Sequence, residues 1–383
     1  MSESWSAETL LAQALGEVES EFGGVVPPIH VATTYLRASD NTYPLGVAYG
    51  RDDNPTVRAP ERVLEKIENG EEALLFASGM AAATAVFEAL PFGAHIVAPR
   101  VMYWGLRKWL EGRAKIGRFR TDFVDLHQPG QLEMVLRQGE TAIVWIETPS
   151  NPMWRVTDIK MLADTVHLAG ALLAVDSTAA TPLLTRPLDL GADVVMHSAT
   201  KYLNGHSDVL AGALVFKKAD DFFLSIKNYR HDVGPILGQF EAWLLLRGMR
   251  TLHLRVAESC KNAMAIAERF AEDHRLTEVL YPGLSTHPEH DLAREQMGGK
   301  FGGMLSIRVH GGEKNAISVA SRVKVWKRAT SLGGVESLIE HRASIEGPST
   351  PVPADLLRLS VGVENCSDLI LDIDQALKAV SVS

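Results

Sequence analysis

Between Leu74 and about Val215, short apolar runs alternate with segments of helical period. Ile96-Val97-Ala98, Ala142 to Ile146, Ala171 to Val175 and Val194-Val195-Met196 are the clearest runs. Each is short and almost continuously apolar, the pattern of a strand covered on both faces. Strands separated by helical stretches need crossover connections, so this region predicts a mainly parallel α/β sheet with helices on both sides. Arg58 to Asn69 reads as a helix with Val63, Leu64 and Ile67 on one face and Gly70 as its stop. The residues before it show few periodic patterns and many turn formers. They predict an arm that packs on something else, expected to be a neighbouring subunit. Gln239 to about Glu272 reads as one long helical region. Strands at Gly303 to Val309 and Leu356 to Val361 mix with helices beyond it. The expected division is an arm over 1–58, an α/β domain over 59–240 and a smaller C-terminal α+β domain over 241–383.

The 383 residues suffice for a large core and more than one domain. A net charge of −9 without a basic block argues against a nucleic-acid partner. No apolar run reaches the roughly 18 residues of a membrane-spanning helix, so no membrane partner is expected. The stretch Met1 to Glu8 is polar and acidic, unlike a secretory or organelle signal. Cys260 and Cys366 are too few for a disulfide framework. Two unpaired thiols suit a reducing cytoplasm, the expected location. No cluster of metal-ligating residues stands out, and no metal is expected.

The chemistry concentrates in His197-Ser198-Ala199-Thr200-Lys201-Tyr202-Leu203-Asn204-Gly205-His206. Lys201 follows two hydroxyl residues just after an apolar strand. A lysine there can attack an aldehyde while Ser198 and Thr200 hold an anion. An aldehyde and a phosphate on one molecule describe pyridoxal 5′-phosphate, which also needs a partner for its ring nitrogen. Asp176, at the end of the preceding apolar run, supplies one. Most lysines are solvated surface residues, so Lys201 gains its meaning from Asp176 and the other motifs. Ser78-Gly79-Met80 opens a helix-forming stretch. Free N–H groups there suit a phosphate, although Ser78 also reads as an ordinary helix cap.

Several segments together resemble the cysteine/methionine-metabolism family of pyridoxal-phosphate enzymes, which includes cystathionine γ-synthase, cystathionine γ- and β-lyases and methionine γ-lyase. They are residues 49–56 (YGRDDNPT), 77–82 (ASGMAA), 147–152 (ETPSNP), 175–178 (VDST), the Lys201 segment, 331–338 (SLGGVESL) and 358–362 (RLSVG). The resemblance implies the aspartate-aminotransferase type of fold and a homotetramer of close dimers with shared active sites. It implies that Gly79 and Met80 hold the phosphate through backbone groups, with Ser198 and Thr200 as side-chain ligands. Tyr49 and Arg51 match phosphate ligands given by the adjacent subunit. Tyr103 matches the tyrosine that stacks on the cofactor ring and moves protons near the leaving group. Trp104 and Gly105 after it depart from the family pattern, and the cysteine usual in methionine γ-lyases is absent at Gly105. Ser177 stands where asparagine is usual.

For the substrate, Arg358 matches the arginine that binds the α-carboxylate, with Asn151 and Ser331 assisting. Lys201, once released, is the expected base at Cα and relays protons to Cβ. Loss of a Cγ substituent then leads either to a 2-oxo acid and ammonia or to replacement by a thiol. Elimination from a sulfur- or oxygen-linked substrate is the first expectation. Replacement on an O-acylhomoserine is the alternative, and a non-catalytic cofactor-binding scaffold is disfavoured because Lys201, Asp176, Tyr103 and Arg358 are all present. Thr330 replaces the glutamate common in cystathionine enzymes. Asp52 and Asp53, beside Tyr49 and Arg51, read either as a solvated Asp-Asn-Pro turn or as a site for a cationic tail such as that of canavanine.

Overall fold

The computed structural model describes residues 5–347 and 350–381. Of the polar stretch Met1 to Glu8, residues 1–4 lie outside the described residues. The large sheet has seven strands: β1 (Glu72–Phe76), β2 (Ala94–Pro99), β3 (Phe119–Val124), β4 (Thr141–Glu147), β5 (Leu172–Asp176), β6 (Val194–His197) and β7 (Gly212–Phe216). Their order is β1-β7-β6-β5-β4-β2-β3. Only β7 runs against its neighbours, β1 and β6. The mainly parallel sheet therefore forms where the alternation predicts it.

Side chains of β4 show why the apolar runs are unbroken. Val144 and Ile146 join one core, while Ile143 and Trp145 join a second on the other face. Phe87, from the helix Gly79–Glu88, meets Trp145 at a ring-centroid distance of 5.3 Å. A strand covered by helices on both faces gains from burying every side chain, and alternation disappears.

A second sheet contains β8 (Leu276–Leu280), β9 (Met304–Val309), β10 (Lys327–Arg328), β11 (Leu338–His341) and β12 (Leu356–Ser360) in the order β10-β11-β12-β9-β8. Only β10 and β11 pair in parallel. The helical region expected as one piece is two, Gln239–Met249 and Leu252–Phe270, broken at Arg250 and Thr251. Gly248 explains the close packing before the break. A Cβ on it would stand 2.2 Å from the Asn204 carbonyl oxygen, so this helix presses on the Lys201 loop.

The helix expected from Arg58 starts earlier, at Pro55, because Asn54 caps it through its side chain to the Thr56 amide. Its left-handed C-cap is Asn69 rather than Gly70. Gly70 serves close approach instead, since a Cβ would lie 2.5 Å from a Val215 methyl. The N-terminal arm is less featureless than its sequence. Ala7–Ala12 is helical, and Leu11 is fully buried in the protein's own core. Beyond it the arm is open, with Phe22 86% and Leu36 93% exposed.

Candidate active site

The C-terminal ends of β4, β5 and β6 are Glu147, Asp176 and His197. Glu147 pairs with Asp176 in register, and Asp176 with Met196. Ligands of open α/β sheets gather at this edge. Past β6 the chain turns tightly, with the Lys201 amide bonded to the Ser198 carbonyl at 3.0 Å and the Gly205 amide to the Lys201 carbonyl at 2.7 Å. Buried Arg255 clamps the turn by donating to the Tyr202 carbonyl at 2.7 Å. Gly205, at φ +74°, leaves room for that guanidinium, which a Cβ would meet at 1.9 Å.

The Lys201 amine donates to Ser331 Oγ at 2.8 Å. Burial, and then the charge of Arg358, lowers its pKa to about 8. Ser331 holds φ +86°, costly for a residue with a side chain by about 1–3 kcal/mol. This backbone presents both of its oxygens. Its hydroxyl meets Lys201, and its carbonyl accepts from Arg358 Nη2 at 2.6 Å.

Arg358 lies on β12 opposite Glu340 on β11. Glu340 Oε2 serves two guanidinium groups, Arg358 at 2.7 Å and Arg342 at 2.9 Å. Burial lowers the Arg358 pKa to about 10, and its Nε has no partner among the described residues. Asn151 Oδ1 approaches Arg358 Nη1 at 3.5 Å, too long for a firm bond. The Asn151 amide is fixed differently, donating to Glu147 Oε1 at 2.8 Å, while the Tyr103 amide donates to Glu147 Oε2 at 2.6 Å. Tyr103 itself is 41% exposed, next to Trp104. A Cβ on Gly105 would stand 2.8 Å from Tyr103 Cε1, so that position leaves the ring its room.

On the opposite side, Asp176 Oδ1 accepts the Thr178 hydroxyl at 2.6 Å and its amide at 3.0 Å. Oδ2 has no bond within the described residues. Burial raises the Asp176 pKa, and the Thr178 bonds oppose that. Thr178 Oγ1 also accepts the Ser198 amide at 2.8 Å. Ser78 caps the helix Gly79–Glu88 by accepting the Ala81 amide at 3.0 Å. A Cβ on Gly79 would lie 2.7 Å from Ser198 Oγ. Met80 follows on the same first turn. The cap reading of Ser78 thus holds, and it leaves the anion-binding reading of Gly79 and Met80 open to a phosphate. The Thr200 hydroxyl is engaged with Ala211, donating to its carbonyl and accepting its amide. Ser177 is buried, and its hydroxyl has no partner among the described residues.

Hydrogen bonds therefore join Lys201, Ser331 and Arg358 in one group, Tyr103 and Asn151 through Glu147 in a second, and Ser198 and Asp176 through Thr178 in a third, with Gly79 packed against Ser198. Tyr49, Arg51, Asp52 and Asp53 join none of these within the described residues. Tyr49 is 44% exposed, with the Arg51 guanidinium 5.2 Å from its ring. Asp52 faces His231 at 2.6 Å, and Asp53 faces Arg58 at 3.6 Å. Thr330 is exposed. Glu147, Thr178, Glu340, Arg342 and Arg255 were not singled out by the sequence reading. Glu147 and Thr178 lie within the segments 147–152 and 175–178 and so carry a local signal. Glu340 and Arg342 carry no local signal, because only strand pairing reveals their partner.

The residues fit pyridoxal phosphate. Lys201 has a depressed pKa for attack on an aldehyde, Asp176 Oδ2 is available to a ring nitrogen, and the Gly79–Ser198 cradle meets a helix start. The fold and the site define a pyridoxal-phosphate-dependent enzyme of the aspartate-aminotransferase type. The chain belongs to the Cys/Met metabolism PLP-dependent enzyme family, whose model matches residues 8–378. It is 39% identical to a cystathionine γ-lyase of Dictyostelium discoideum, covering 93% of each chain. It is 40% identical to a cystathionine γ-synthase of Mycobacterium tuberculosis, covering 93% of this chain and 92% of that one. Its fold matches the crystal structure of cystathionine γ-synthase from Xanthomonas oryzae pv. oryzae in complex with cystathionine at a TM-score of 0.94, with 35% identity over 99% of each chain. Among the described residues no helix is long and apolar enough to cross a membrane.

Proposed function

We propose that this enzyme eliminates a sulfur or oxygen leaving group from Cγ of an L-amino acid. The observation that carries the reading is the contact of Lys201 with Ser331, whose carbonyl in turn holds Arg358. It puts a base of near-neutral pKa beside the guanidinium suited to an α-carboxylate. Bound pyridoxal phosphate would supply the electron sink that makes a Cα proton removable. Asp176 would face its ring nitrogen, while Gly79, Met80, Ser198 and Thr200 would hold its phosphate. Arg358, assisted by Asn151 and Ser331, would orient the substrate so that its Cα proton faces Lys201. An amine with a pKa near 8 can both take that proton and return one at ordinary pH. Tyr103 would stack on the ring and pass a proton to the departing group. Loss of a Cβ proton then expels the Cγ substituent, and hydrolysis leaves a 2-oxo acid and ammonia.

The second reading is replacement of the acyl group of an O-acylhomoserine by a thiol. Nearly equal identity to a γ-lyase and to a γ-synthase favours keeping it. A canavanine-type substrate draws on Asp52 and Asp53, but Asp53 already faces the Arg58 guanidinium and Asp52 the His231 ring. A homotetramer of close dimers, with Tyr49 and Arg51 reaching the neighbour's phosphate, is supported by the exposure of those side chains and of the apolar arm. A cytoplasmic setting suits the free thiols Cys260 and Cys366. The test is a panel of cystathionine, methionine, canavanine and O-acylhomoserines, scored for ammonia, 2-oxo acid and released nucleophile with and without added thiol. Elimination predicts 2-oxo acid and ammonia without thiol. Product formation only when thiol is present, as a thioether, would replace it with the synthase reading.

A further inference from the structure

Two site residues come from separate loops, and one side chain ties both. Tyr103 follows β2 and precedes the helix Trp104–Lys115, while Asn151 follows β4. Their backbone amides converge on the buried carboxyl of Glu147, at 2.6 Å on Oε2 and 2.8 Å on Oε1. We propose that Glu147 is the positioning residue that sets Tyr103 and Asn151 relative to each other through this fork. The proposal rests on the reading that Tyr103 and Asn151 face cofactor and substrate.

The chemistry of the fork favours this residue type. Two converging N–H donors need two acceptors a fixed distance apart, and a carboxyl provides them where an amide provides one. The position is not one that burial alone would fill with an acid. Glu147 lies in register with Asp176 on the adjacent parallel strand, so both acids emerge on the same face of the sheet. Placing a second acid beside Asp176 costs energy. Burial, and then the Asp176 charge, raises the Glu147 pKa, and the two amides bonded to its oxygens oppose that.

A purely structural acid would also satisfy two amides, so the test separates holding from positioning. Amide hydrogen exchange in the cofactor-free protein reads the holding directly. In Glu147→Ala the amides of Tyr103 and Asn151 should both exchange about tenfold faster, since bonds to carboxylates are among the stronger ones. In Glu147→Gln only one should. The Arg100 amide, bonded to the Val124 carbonyl at 2.8 Å, is the control and should not change. Positioning is read in the holoenzyme. Glu147→Gln should change the visible circular dichroism of bound pyridoxal phosphate and lower kcat. Its fold-loss should shrink when Tyr103→Phe or Asn151→Ala is already present. Unchanged exchange in Glu147→Ala would overturn the fork. Losses that multiply in both double mutants, with an unaltered dichroism, would reduce Glu147 to a structural acid. Failure of the elimination reading alone would leave the exchange and dichroism results standing.

Discussion

Gly79→Ala sets two effects of opposite sign against each other. Gly79 is the first residue of the helix Gly79–Glu88, where alanine loses less backbone freedom, a gain below the about 0.5–1 kcal/mol of a mid-helix position. On that ground alone the substitution stabilises. The added methyl would, however, lie 2.7 Å from Ser198 Oγ, 2.8 Å from its Cβ and 3.1 Å from its Cα. A rotated hydroxyl relieves only the first contact, so the Ser198 backbone must shift. Overpacking of this kind costs about 1–3 kcal/mol. The shift also pulls on the Ser198 amide bond to Thr178 and, through Thr178, on Asp176. A net penalty of about 1–2 kcal/mol expressed in cofactor binding weakens pyridoxal phosphate by about 5- to 30-fold. Titration of the cofactor-free variant, followed by visible absorption, measures it. The loss should be smaller in a Ser198→Gly background, which removes two of the three contacts. Unchanged or tighter binding in Gly79→Ala would refute the reasoning and leave Ser78 capping as the segment's sole role.

Two further outcomes follow from the site. The Lys201 amine has its pKa lowered from 10.5 to about 8, so its neutral, nucleophilic fraction rises about tenfold between pH 7 and pH 9 and then levels off. The rate of pyridoxal phosphate uptake by the cofactor-free protein should follow that curve in stopped-flow absorption. A rate still climbing beyond pH 10 would mean an ordinary solvated amine. If Arg51 serves the neighbour's phosphate, mixing inactive Arg51→Ala and Lys201→Ala subunits should restore activity, because one site per hybrid dimer is intact. Hybrids that demonstrably form yet stay inactive would exclude a shared site.

Much of the cofactor side was legible because it is local. Lys201, Ser198 and Thr200 lie within four residues of one another, and Asp176 ends the adjacent strand. The sheet was legible too, since β4, β5 and β6 are continuous apolar runs that only a doubly covered sheet can use. What failed to show has a common cause. The long helical pattern from Gln239 continues through Arg250 and Thr251, so periodicity misses the break there. The Thr200 hydroxyl bonds Ala211, eleven positions away, and no local rule assigns that partner.

The substrate side is harder to read because distance in sequence hides its charge balance. Asp52 and Asp53 stand out as an acidic pair, yet the Arg58 guanidinium offsets the charge of Asp53, and Asp52 already has the His231 ring at 2.6 Å. The reverse holds for Arg358. Its sequence names no partner, but Glu340 joins it to Arg342, and Arg342 also pairs with Glu346 at 2.8 Å. The formal charges of these four buried groups cancel. On the proposed reading, an incoming α-carboxylate would meet a guanidinium already engaged on one side, and Ser331, bonded to both Lys201 and Arg358, would be where its arrival reaches the base. Removing the substrate carboxylate's partner or shifting Ser331 would disturb the same proton transfer. That coupling is a property of the second sheet meeting the first, and neither segment contains it alone.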